Sequence, residues 1–560
     1  MDLIRYSIIG AIIAVSLILV NEWTDFKTAN KALLDASQPP VERYQNAGEV
    51  PNAITSNSNS DTPELNAPAS TPIEFTTAPV STNLISVKTG TLTMSIDPRG
   101  GDIVSVLLPK YLAELDEQKN PFVLLEQNSR RTYIAQSGLI GPNGTDTASG
   151  KPLFNSSARS YNLNDRDSLN VDLAFTDNNG ANIIKRFIFT ANSYLVEQKY
   201  IIENKGSENW TANFYAQLKR DSTEDPAADT TGMGMQPFLG VATRTEEKPY
   251  IKTTFSDLSD EPFKADVTNG WLSVVQHYFI SAWIPPTDST NAFSTKVNGD
   301  GYNFIRYISP AVTVAPGGIE IIESRFYAGP KDQESLGAIA PGLELTVDYG
   351  WLWWIAQPLF AIMTFIHGYV GNWGWSIIFL TMFVKVLFYP LSAASYRSMA
   401  KMRLVTPKMT EIRERHADDK QAQSAAMMEL YKTEKVNPLG GCLPILIQMP
   451  VFISLYWVLM ESVELRHAPW LGWIQDLATM DPYYILPLIM GVSMFIQQKL
   501  NPPPPDPMQA KVMQIMPIFF TFFFLWFPAG LVLYWCVNNI LSILQQWMIT
   551  RQIEAAAAAK

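Results

Sequence analysis

One lysine stands inside a run of sequence where a charge is expensive. Lys385 is the only charged residue in Trp373–Leu391, and an ionisable group within a membrane-length apolar run is rare and commonly functional. On a helix it falls about 18 Å from Trp373 and about 9 Å from Leu391. Thr381 and Tyr389 lie four residues to either side, so the three share one polar stripe. Gln448 and Ser454, Ser493 and Gln497, and Tyr534 and Asn538 add polar groups in later apolar runs. Such a set predicts a cation in a water-filled cavity. The plainer reading of Lys385 is snorkelling to the inner headgroups. For each neighbour the plainer reading is an interhelical hydrogen bond.

Motifs for covalent chemistry are missing. Gly232-Met233-Gly234 is followed by Pro237 where a dinucleotide fingerprint needs its third glycine. There is no P-loop, no nucleophile elbow and no pair of intramembrane carboxylates. The four histidines, 277, 367, 416 and 467, lie far apart, and none joins a cysteine at ligand spacing. Cys442 and Cys536 both sit in apolar stretches, which argues against a disulfide scaffold. No cofactor and no metal are expected. Asn143-Gly144-Thr145 matches a glycosylation sequon, a triplet common by chance.

Composition divides the chain in two. It has 560 residues and a formal charge of −11, with only 17% charged residues and 12% aromatics. Residues 1–350 carry −14 and the remainder +3. A net acidic chain repels phosphate, so nucleic acid is not expected as a direct partner. Residues 1–21 read as an uncleaved signal anchor: Arg5 precedes the apolar run Tyr6–Val20, and no small-x-small cleavage site follows. A cleaved signal is the alternative. Residues 22–80, rich in Pro, Ser, Thr and Asn, read as a flexible tether.

Residues 81–345 have β texture. Tyr194, Val196, Tyr200 and Ile202 alternate, as do Phe187 and Phe189. Turn signals recur at Asp97–Gly101, Asn178–Gly180, Asn298–Gly301 and Pro316–Gly318. One large sandwich of antiparallel sheets is expected. Residues 346–371 read as an interfacial amphipathic helix anchored by Trp351, Trp353 and Trp354. Residues 372–550 hold five apolar runs, about 373–391, 441–460, 483–499, 512–527 and 529–548. Residues 551–560 form a short tail. The third and fourth runs are short for a bilayer, which thins around such spans.

Charge sets the expected topology. The segment 392–440 has nine Lys and Arg, whereas 461–480 has only Arg466, so the former lies in the cytoplasm. The acidic domain then lies outside, an odd number of spans separates the two, and the result is six spans with both termini inside. Segment 392–440 reads as a helical hairpin turning at His416–Asp419. Met399, Met402 and Met409 on one arm, and Met427 and Met428 on the other, recur at helical spacing. They serve either ordinary packing between the arms or an adaptable surface for apolar clients and partners.

Several motifs carry a family resemblance. Gly371–Ser376, Tyr389-Pro390-Leu391, Met399–Arg403, Asn437–Cys442 followed by Gln448-Met449-Pro450, Asp481–Pro487 and Phe524–Leu531 resemble the YidC/Oxa/Alb insertase family. The anchor and large outer domain are similar to its Gram-negative inner-membrane type. The likeness covers essentially the whole chain and is densest from about 347 to 550. It implies a five-helix core with a hydrophilic groove, open to cytoplasm and lipid, beneath an all-β periplasmic supersandwich similar in fold to sugar mutarotases. It implies insertion and chaperoning of inner-membrane proteins, alone and with the Sec translocon, with nascent membrane proteins, the lipid bilayer and ribosomes as partners. No catalysis is implied.

By this resemblance position 385 matches the family's groove arginine, and Thr381, Tyr389 and Gln448 match neighbouring groove positions. Tyr534 and Trp535 match a client-contacting stretch that is usually two tyrosines. Two departures stand out. Lysine at 385 keeps the charge but loses the planar fork of arginine. The tail, Ala555–Ala559 and Lys560, lacks the long basic extension that contacts ribosomes in some relatives. Two readings from other classes compete. A small-solute transporter or channel with a glycan-sensing outer domain predicts repeats or several intramembrane ionisable groups. A sugar-active outer enzyme predicts a carboxylate converging on His277.

Overall fold

The computed structural model describes residues 61–63, 83–117, 119–147, 150–228, 237–416, 419–434, 443–501 and 507–558. The anchor expected at 1–21, nearly all of the tether at 22–80, Gly232 and Gly234, and the Asn437–Cys442 motif lie outside the described residues.

Alternating strands build a two-sheet sandwich. One sheet runs in the order β14 (Lys264–Thr268), β17 (Thr290–Val297), β18 (Asn303–Val314), β11 (Trp210–Arg220), β5 (Thr132–Ile140), β4 (Pro121–Gln127), β3 (Asp102–Leu112), β2 (Thr93–Asp97), β1 (Ile85–Lys88) and β7 (Ser160–Asn162). The other runs β13 (Ile251–Thr254), β12 (Gly240–Arg244), β15 (Trp271–Val275), β16 (Phe279–Ile284), β19 (Ile319–Pro330), β10 (Leu195–Asn204), β9 (Ala181–Thr190), β8 (Ser168–Thr176) and β6 (Asn155–Ser156). Among the described strands only β1 and β7 pair in parallel.

The period of two carries the core. Along β10, Val196, Tyr200 and Ile202 point inward, while Lys199 faces out and pairs with Glu323 directly opposite on β19 at 2.6 Å. The turn at Asp97–Gly101 is capped by Asp97 Oδ1, which accepts from the Arg99 amide. Gly101 has φ +65, and a Cβ there would meet the Lys185 side chain at 2.8 Å, so glycine is needed twice over. Lys185 enters the core through that gap. Its ammonium donates to the carbonyls of Gly100 and Ser137, each at 2.9 Å.

A helical linker joins the sandwich to the second region. Helix α1 (Gln333–Ile339) is N-capped by Asp332. Its Leu336 belongs to a core that begins at Trp271 and Tyr327, passes Leu343 and Tyr349, and continues into Ala356, Leu359 and Met363. Polar contacts lock the same joint. Lys331 pairs with Glu461 at 2.6 Å, with both side chains almost fully buried. Arg466 donates to the Ala113 carbonyl and lies over the Phe122, Tyr278 and Phe279 rings. His277, the lone candidate for sugar chemistry, is buried, and its Nε2 donates to the Met460 carbonyl at 2.8 Å. Burial pushes its imidazole below the usual range, toward the neutral form. Its role here is a structural tie.

The second region is helical: α2 (Trp353–Val370), α3 (Trp373–Leu387), α4 (Tyr389–Arg415), α5 (Lys420–Thr433), α6 (Leu443–Glu461), α7 (Ile485–Leu500), α8 (Pro507–Phe523) and α9 (Ala529–Ala558). The run expected as one span over 373–391 is two helices, bent by 68° across Phe388. Pro390 lies in the first turn of α4, where its missing N–H costs nothing. A straight continuation would drive its ring into the preceding turn. Among the described residues no single helix is long and apolar enough to cross a membrane alone. The bent pair α3 and α4 passes that test together.

Candidate groove of the helical region

The helices pack an apolar core, yet they also turn apolar side chains outward and enclose polar ones. Val386, Val492, Ile518 and Phe522 are each more than 60% exposed. Ser376, Thr381, Lys385, Ser454, Ser493, Asn539, Ser542 and Gln546 are buried. Exposed apolar surface on this scale marks contact with lipid or another apolar partner. Buried hydroxyls and amides are the interhelical ties of membrane bundles.

Helix α9 is the hub, since α3, α4, α6 and α7 all pack on it. Lys385 is 3% exposed, and its Nζ donates to Ser542 Oγ of α9 at 2.7 Å. Ser542 in turn donates to the Asn538 carbonyl at 2.7 Å. No carboxylate pairs with Lys385 among the described residues. One turn from Lys385, Thr381 is buried and donates to the Ile377 carbonyl of its own helix. Tyr389 is 46% exposed, at the start of α4 beyond the bend. Gln448 is half-buried on α6. The structure thus joins Lys385 to Ser542 across the α3–α9 contact, keeps Thr381 buried one turn away on α3, and leaves Tyr389 at the surface.

Tyr534 and Trp535 flank Phe452 of α6. Tyr534 is buried and lies near-parallel to Phe452 at 6.4 Å, while Trp535 meets it edge-on at 4.5 Å. The Trp535 indole N–H has no acceptor among the described residues. Ser454 donates to the Pro450 carbonyl and Ser493 to the Met490 carbonyl. Ser542, Asn539 and Gln546 were not among the candidates from sequence. Asn539 donates to Ser493 at 3.1 Å, and Gln546 donates to Asn501 and to the Leu500 carbonyl. Extending the Tyr534–Asn538 spacing by four more residues reaches Ser542, and that signal would have found it.

Local devices hold these helices in register. Asp481 accepts from the amides of Tyr483 and Leu486 and from the Trp473 indole, fixing the start of α7. A Cβ on Gly491 would meet Thr521 at 2.0 Å, so α7 and α8 approach as closely as glycine permits. Arg403 donates to the Lys499 and Leu500 carbonyls at the C-terminus of α7, where a cation suits the helix dipole.

In the hairpin of α4 and α5, Met409 and Val405 are buried among Met402, Met427, Leu430 and Tyr431. Met399 instead packs with Ala393, Tyr396 and Ile549, on the α9 side. Met428 is 56% exposed. Lys408 and Glu434 clasp the two arms at 2.6 Å. Trp351 and Trp354 are exposed and Trp353 half-buried, at the start of α2.

Comparison with known proteins places both regions. Residues 84–362 match the family described as YidC periplasmic domain, and residues 365–556 match the family described as 60Kd inner membrane protein. The chain is similar to the membrane protein insertase YidC of Pseudomonas fluorescens, at 52% identity over 100% of this chain and 99% of that protein. It is 50% identical to the membrane protein insertase YidC of Azotobacter vinelandii, over 100% of both. A solved structure of an active YidC insertase with its first transmembrane domain resolved aligns with 83% of this chain and 92% of its own, at 17% identity and a TM-score of 0.39.

Proposed function

The chain belongs to the family of YidC membrane protein insertases, and from that premise we propose how its groove does the work. The protein is a bacterial inner-membrane insertase and chaperone, not an enzyme. Nothing in the comparisons favours a transporter or channel.

In this reading six spans cross the membrane, both termini are cytoplasmic, and residues 81–345 stand in the periplasm. The positive charge of 392–440 supports that orientation. Lys385, Thr381, Tyr389, Gln448, Tyr534 and Trp535 meet the client. The observation that carries the proposal is Lys385 itself: a buried cation whose partner is one neutral hydroxyl. A buried charge without a countercharge is poorly compensated. A client carboxylate that enters beside it exchanges Ser542 for an ion pair. The acidic outer segment is drawn in by that charge, and the client's apolar helix then leaves sideways into lipid. About 20 apolar residues, at a few tenths of a kcal/mol each, drive that last step by several kcal/mol. Short helices α7 and α8, reaching about 24–26 Å, thin the bilayer along the path. Nascent membrane proteins and the Sec translocon are the partners in this scheme. Met428, exposed on the hairpin, is the methionine best placed to meet a client or a ribosome.

The test reconstitutes the protein in liposomes with a single-span client bearing an acidic outer tail. Protease protection of that tail is expected for the wild type and for Lys385→Arg, and a loss of at least tenfold for Lys385→Ala. Unchanged protection in Lys385→Ala would remove Lys385 from the mechanism.

A further inference from the structure

The face of the ten-stranded sheet turned away from the sandwich core carries a buried polar row. Asp102, Gln136, Gln217, Arg306 and Ser294 stand on it, with Gln217 directly opposite both Gln136 and Arg306. Gln217 Nε2 donates to Gln136 Oε1 at 2.8 Å, and Gln136 Nε2 donates to Asp102 at 2.9 Å. Two residues along β11 lies Lys219, its ammonium over the Tyr302 ring at 4.3 Å.

A short piece of the chain, Asp61–Pro63, is seated on this face although it comes from the middle of the Pro/Ser-rich tether. Both carboxylate oxygens of Asp61 accept from Lys219 Nζ at 2.8 Å, and its main-chain carbonyl accepts from Gln217 Nε2 at 2.7 Å. Pro63 is buried. These are the contacts of a bound peptide: one charge pair, one main-chain hydrogen bond and one buried ring. The fit is also incomplete. Gln217 is fully buried, yet its Oε1 has no donor among the described residues. A side-chain amide beside a peptide backbone reads both groups when it donates to a C=O and accepts from an N–H. Here only the first half is made.

We propose that this face is a docking site for an extended peptide with a carboxylate two residues before a proline, and that the chain's own Asp61–Pro63 is its resident ligand. The tether is thereby latched to the domain. Residues 64–82 connect Pro63 covalently to Asn83, so the latch is intramolecular. Its effective concentration is on the order of millimolar, so a free peptide at micromolar levels does not displace it.

The test uses the full chain in nanodiscs and a labelled synthetic peptide of residues 56–68, titrated by fluorescence anisotropy. Asp61→Lys in the full chain repels Lys219 and opens the latch without touching the sheet. The peptide is expected to bind this variant at least tenfold more tightly than the wild type. Adding Lys219→Met, which leaves the tether no charge to pair with, should abolish that binding. A peptide carrying Asp61→Asn should bind the opened chain at least fivefold more weakly, a control that does not depend on any change to the sheet. Equal binding to wild type and Asp61→Lys, no binding to either, or indifference to the peptide's carboxylate would overturn the proposal.

Discussion

The two regions bury similar apolar cores but expose opposite things. In the sandwich, Trp210, Trp283, Tyr200 and Phe187 are inside, and charged strand residues such as Lys199 and Glu323 face out. In the helices, Ile518, Val492 and Val386 face out, and Ser542, Asn539 and Gln546 are inside. The same side-chain chemistry is sorted as water around one region and hydrocarbon around the other would sort it. Away from the joint each region also buries a lysine, and the contrast is informative. Lys185 is held in the sandwich by two main-chain carbonyls under a glycine turn. Among the described residues Lys385 is held by a single hydroxyl. The first is a satisfied structural group; the second has room for a better partner.

The joint between the regions is where that contrast is most sharply tested. Lys331→Ala leaves Glu461 buried and unpaired, and should cost about 3–5 kcal/mol in denaturant unfolding of the full protein in micelles. Lys331→Met combined with Glu461→Leu should return most of it. If the single variant loses under 1 kcal/mol, the two regions are not locked through this pair.

Next in size is a matched pair of surface changes. Ile518 is 72% exposed on α8 and Ile319 is 62% exposed on β19. Ile518→Lys should cost about 2.5–3.5 kcal/mol of membrane integration if that face meets lipid. Ile319→Lys should stay within about 0.5 kcal/mol. Similar effects at both sites in a membrane-integration assay would erase the distinction between the two exposed faces.

A smaller effect concerns pH. Burial pulls the Lys185 ammonium from 10.5 down to about 7. Between about 7 and 10.5 the unfolded chain therefore holds the extra proton, and stability rises with pH. The slope is at most about 1.4 kcal/mol per pH unit. Thermal unfolding from pH 7 to 9 should show this rise in the wild type relative to Lys185→Met. Parallel curves would mean that Lys185 stays charged in the core.

The smallest expected effect is at Met428 on the hairpin. Met428→Ala should change stability by less than about 0.5 kcal/mol, whereas Met409→Ala, between the arms, should cost about 2–5 kcal/mol. If Met428→Ala nonetheless lowers insertion in the liposome assay, the exposed methionine is a contact for clients.

Much of this was legible without coordinates because it rests on local rules. Alternation along β9 and β10, the turns at Asp97–Gly101 and Asn298–Gly301, the abrupt change of composition near residue 350 and the isolated charge at Lys385 are all readable from neighbours in the chain. Family membership was likewise carried by contiguous motifs such as Asp481–Pro487. Other features depend on residues far apart in sequence. Ser542 lies 157 positions from the lysine it holds, Glu461 lies 130 positions from Lys331, and Asp61 lies 158 positions from Lys219. No periodicity links such pairs; packing of whole elements does. The bend at Phe388 belongs to the same class, because a proline in a helix's first turn either starts a new helix or kinks the old one, and only the neighbouring helices choose. The amino-acid sequence by itself thus determined which region is β, which is helical and apolar, and which lysine is out of place. The tertiary structure decided what each buried polar group touches, because a hydrogen bond is made or lost over a few tenths of an ångström that only the assembled elements define.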